Sequence, residues 1–152
     1  MTTTLASIIS ATKTALEAMT LATDSGAPAN LKDDTTANFE QAGDRMFSIG
    51  ISGMTVLEIT GVTGRAHMVA ILSVHFRTIN EARGDTDASA IIAEDSLRVM
   101  LRLWANVPAA VTMCRSMTPV PCPAPIRDAA EPSRFTQEVP FEINWDEDIP
   151  SS

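Results

Sequence analysis

The chain has 152 residues, 45% of them hydrophobic and 20% charged; that balance fits one globular domain and excludes a disordered or low-complexity chain. Nineteen acidic residues against 11 basic ones set the formal charge at −8, the opposite of the basic footprint that grips nucleic-acid phosphates. The first residues lack the basic start of a secretory signal, and the longest purely apolar run, Met68 to Leu72, is far short of the roughly 20 residues of a membrane helix, so a soluble, untargeted protein is expected.

Residues 3–21 read as an amphipathic helix, with Leu5, Ile8, Ile9, Leu16 and Met19 at helical spacing and Lys13 and Glu17 on the other side. Turn formers Asp24, Ser25, Gly26 and Pro28 end it, and a polar stretch follows that holds at most a helical turn near Phe39. From Arg45 the period becomes two. Phe47, Ile49, Ile51, Leu57 and Ile59 share one parity, the pattern of a half-buried strand. Gly50 and Gly53 inside that run suggest a bulge or a close backbone approach.

Gly61, Val62, Thr63 and Gly64 supply a turn, and residues 65–79 return as a second strand with Ala66, Met68, Ala70, Leu72, Val74 and Phe76 on one face. Met54 and Val56, on the parity opposite Leu57 and Ile59, leave this hairpin apolar on both faces. A single small core struggles to cover both, so Met54 and Val56, with Val62 and Arg65 near the turn, are candidate contacts for another subunit or partner.

Residues 88–105 predict the central packing helix, N-capped by Asp85 or Asp87 and closed by Pro108. Ile92, Val99, Met100 and Leu103 form its stripe, which Leu97, Leu101 and Trp104 widen around most of the circumference. Residues 111–117 suggest a short strand. Prolines at 119, 121, 123 and 125 then imply an extended, donor-poor connection, within a Pro-rich loop over residues 118–133.

The last strand alternates Phe135, Val139, Phe141, Ile143 and Trp145 against Thr136, Glu138, Glu142, Asn144 and Asp146, and its Pro140 suggests an edge position. Asp146, Glu147 and Asp148 open an acidic tail, residues 146–152, with no basic residue near it; it reads as a solvated end or a surface for a basic partner. The fold class expected is α+β in a single domain spanning residues 1–152. Two helices pack a mainly antiparallel sheet of about four strands, in the order α-β-β-α-β-β.

Constellations that would carry chemistry are sparse. Met54 stands where a nucleophile elbow needs its second glycine, and no Walker or dinucleotide-binding loop occurs. His67 and His75 share a strand face, but eight residues of strand separate them by roughly 26 Å, too far to bind one ion. Cys114 and Cys122 lack CxxC spacing and a nearby histidine, so they are expected to be reduced thiols and not zinc ligands. Neither catalytic, metal nor cofactor residues are assigned, and an enzyme ranks behind a structural or binding role.

The amphipathic first helix, the long hairpin over residues 45–79, the single packing helix and the closing strand Phe141-Glu142-Ile143-Asn144-Trp145 together resemble the tail-terminator (tail-completion) proteins of long-tailed bacteriophages. That resemblance implies a virion protein, made in the host cytoplasm, that forms a hexameric ring on the last ring of tail-tube protein. The ring would end tube polymerisation and meet the head–tail connector or stopper protein. The genome would pass through it unread, without membrane contact. The alternatives are a connector, stopper or other tail-ring protein, or a stand-alone small-ligand module with its cavity between the sheet and the 88–105 helix.

Overall fold

The structure, a computed structural model, describes residues 2–19, 32–33, 46–62, 64–79, 85–127 and 134–150. The turn expected at 24–28, the helical turn near Phe39 and most of the 80–87 loop lie outside the described residues. The elements are α1 (Thr4–Ala18), β1 (Lys32–Asp33), β2 (Met46–Thr60), β3 (Arg65–Ile79), α2 (Asp85–Ala110), β4 (Cys114–Pro119), β5 (Ile126–Arg127) and β6 (Arg134–Asp148). This is the α+β class and the element order expected, with two-residue strands β1 and β5 added.

The sheet runs β1-β2-β3-β6-β4, with β5 pairing on β6. Among the described residues only β1 joins its neighbour in parallel. β3 pairs with β6 along its whole length, from Arg65↔Asp148 to Ile79↔Arg134. Residues paired directly across antiparallel strands share a face, so Leu72 opposite Phe141, Val74 opposite Val139 and Ala70 opposite Ile143 form one apolar surface. Both helices pack there. Phe47, Phe76, Phe141, Trp145, Leu72, Leu103 and Met117 are fully buried among them, with Ile8 and Leu16 of α1.

α1 buries Ile8, Thr12, Ala15 and Leu16, one stripe of a 3.6-residue period. Thr12 turns its hydroxyl onto the Ile8 carbonyl at 2.7 Å, which satisfies it inside the core. The N-terminus is capped by Thr3, whose Oγ1 accepts the Ala6 N–H at 3.1 Å. α2 is longer than expected: it runs to Ala110 with Pro108 inside its last turn. Leu97, Leu101 and Trp104 prove to be exposed, unlike the buried Ile92, Val99, Leu103 and Val107.

Pro140 does not mark an edge: β6 lies between β3 and β4. The N–H and C=O of one strand residue point to the same side. The Pro140 carbonyl accepts the Val120 N–H at 3.1 Å, so the missing donor of Pro140 faces the Pro-rich segment, just beyond the last β4 pair, Pro119↔Phe141. β3 is untouched by it. The Pro-rich segment is also anchored rather than a plain loop. Gln137 is buried and donates to the Pro123 carbonyl at 3.0 Å, and β5 pairs Ile126 with Thr136.

The acidic tail starts later than expected, because β6 continues through Asp148. Glu147 pairs with Ala66 and so lies on the helix-covered face. Its carboxylate accepts the Thr4 N–H at 2.7 Å and the Leu5 N–H at 3.0 Å, two donors that the first turn of α1 cannot satisfy itself.

Candidate interaction surfaces

Two irregularities decide what the hairpin presents. The β2–β3 register slips by one residue between Ser52 and Thr55, and again between Val56 and Glu58. Gly53 sits in the first slip with φ +62°, a left-handed conformation that a side chain would strain. Each slip inverts the alternation. Val56 pairs with Met68 and Ile59 with Ala66, and Met68 and Ala66 belong to the core-facing set. Val56 and Ile59 therefore share one face, and the expectation that Val56 lies opposite Ile59 is corrected.

That face has left the core behind. Leu57 and Ile59 were expected to continue the buried row of Phe47, Ile49 and Ile51, yet they are 55% and 63% exposed. Met54 is 53% exposed, Val56 49% and Val62, at the turn, 98%. α2 packs on β4, β6 and β3, and α1 on β6, β1 and α2, so neither helix packs extensively on β2, although the start of α1 reaches Glu147 opposite Ala66. Met54, Val56, Leu57, Ile59 and Val62, five apolar side chains within nine residues, are thus each about half exposed or more, and apolar surface gathered in this way marks interaction sites.

A second surface escaped sequence reading. Leu97, Leu101 and Trp104 are 53%, 54% and 56% exposed. At i, i+4 and i+7 they form a stripe along the outer side of α2. Their spacing was visible, but it merges in the sequence with the buried stripe beside it. Arg98 and Arg102 border them, and Arg98 is held by Glu94 at 2.9 Å. Where α2 meets the end of α1, Ala18, Met19, Arg98, Leu101 and Arg102 line a shallow depression of about 530 Å³.

The charged candidates separate into internal roles. Arg65 pairs with Asp148 at 3.3 Å, on the face away from the helices. Asp146 takes Arg115 at 2.8 Å on the same face. Glu147 is committed to α1 and also accepts the Trp145 indole N–H at 2.9 Å. Met54, Val56 and Val62 thus gather on the hairpin end, whereas Asp146, Glu147 and Asp148 secure the sheet.

The open face of the sheet carries a short polar network. His67 Nε2 lies 3.2 Å from Asn144 Oδ1, and Ser73 donates to Glu138 at 2.8 Å. His75 pairs with Glu138 across the strands. Burial pushes His75 below its usual range, and the Glu138 charge partly offsets this. The Ser73 hydroxyl is aimed at a carboxylate, so Ser73 and His75 lack the nucleophile-to-base hydrogen bond of a catalytic pair. Burial raises both Cys114 and Cys122, which disfavours the reactive thiolate. Among the described residues no three His, Cys, Asp or Glu side chains are grouped to hold a metal.

A cleft of about 800 Å³ opens between the start of α1, Gly64, Thr112 and the end of β6. It does not lie between the sheet and α2, where a cavity was expected for a ligand-binding module; that interface is filled by Leu103, Val107, Met117 and Trp145. No helix among the described residues is long and apolar enough to cross a membrane. No protein-family model matches the chain, and no curated protein matches it in sequence.

Proposed function

We propose that this chain is a structural assembly protein that joins copies of itself into a ring. On the resemblance of its element order and long hairpin to phage tail terminators, the ring caps a tail tube, halts its polymerisation and offers its other side to a head–tail connector or stopper. The observation that carries the reading is the hairpin end, where Met54, Val56, Leu57, Ile59 and Val62 stand uncovered on a folded chain. Such a patch costs solubility unless another molecule covers it. The charge of −8 suits a ring whose lumen lets DNA pass without holding its phosphates.

Size-exclusion chromatography with light scattering tests the ring, which should give closed multimers of about six chains as concentration rises. Adding the protein to polymerising tail-tube subunits tests the cap: tubes should stop growing in proportion to the protein added. Multimers without any effect on tube length would favour another ring component, such as a connector or stopper. A second reading, a small-ligand module, draws on the open cleft of about 800 Å³ beside Gly64 and Thr112; a protein that stays monomeric and binds small molecules there would support it.

A further inference from the structure

We draw no further inference here: the strongest candidate, the cleft between the start of α1, Gly64, Thr112 and the end of β6, belongs to the ligand-module reading already described, and nothing in the structure shows what fills it, because Glu147 is committed to Thr4, Leu5 and Trp145 and Asp148 to Arg65.

Discussion

Glu147 and Trp145 are joined through a single carboxylate oxygen: Oε2 of Glu147 accepts the Trp145 indole N–H at 2.9 Å and the Leu5 N–H at 3.0 Å. The other oxygen takes the Thr4 N–H at 2.7 Å. The end of β6 therefore caps the start of α1 and satisfies the largest buried side chain of the core at once. Removing the carboxylate strands three donors in a partly buried place. Glu147→Ala should cost about 2–3 kcal/mol, lowering the melting temperature by about 5–10 °C, and Glu147→Gln should cost less because it keeps an acceptor.

The same contact sets where the chain can be cut. Deleting residues 146–152 should destabilise the domain about as much as Glu147→Ala or more, because it also removes the Arg115–Asp146 and Arg65–Asp148 pairs. Deleting only residues 151–152 should leave the melt unchanged. Equal melting of the two truncations would show that the end of β6 is a dispensable tail.

What the sequence made legible was what periodicity records. The alternation of Val139, Phe141, Ile143 and Trp145 and the even row from Ala66 to Phe76 read directly as core faces, and all of these but Met68 are buried. Periodicity fails where the backbone breaks its own period. The first slip in β2 re-aims Val56 and the second returns Ile59 to the face its parity predicts, and nothing in the residue pattern beyond Gly53 announces them. Glu147 was invisible for another reason: a carboxylate that caps a helix 143 residues away in sequence looks the same as one in a tail. The α2 stripe was hidden by sharing a helix with the core.

Gly53 offers a direct check of the bulge. Its φ of +62° with open space around the position where a Cβ would sit means that a substitution meets backbone strain and no clash. Gly53→Ala should destabilise by about 1–2 kcal/mol. Gly50, also in open space but without a positive φ, should behave oppositely: Gly50→Ala should be neutral or stabilise by up to about 1 kcal/mol. Chemical denaturation of the pair measures both, and equal effects would mean that the first slip is not anchored at Gly53.

DNA binding should be weak for a reason beyond net charge. Arg65, Arg98 and Arg115 each face a carboxylate, of Asp148, Glu94 and Asp146, so their charges are locally balanced. Duplex DNA should bind with a Kd weaker than about 100 μM at physiological salt, outside the ordinary non-specific range. Tighter, salt-sensitive binding in an anisotropy assay would contradict this and favour a connector that contacts the genome.

The last expectation concerns acid. His75 lies on the open face opposite Glu138, whose carboxylate also holds Ser73. Burial lowers the affinity of His75 for a proton, and Glu138 restores only part of it. The unfolded chain, with a histidine near the usual 6.5, then binds more protons than the folded one once pH falls below about that value. Stability contributed by the neutral imidazole is present above about pH 6.5 and is lost as pH drops through the lower folded value. His75→Gln removes the titration and leaves the neighbouring carboxylates in place. Melted side by side between about pH 7.5 and about pH 5.5, the unaltered protein should lose more stability than His75→Gln. If it loses less, the imidazolium is favoured in the fold, and the pull of Glu138 outweighs burial.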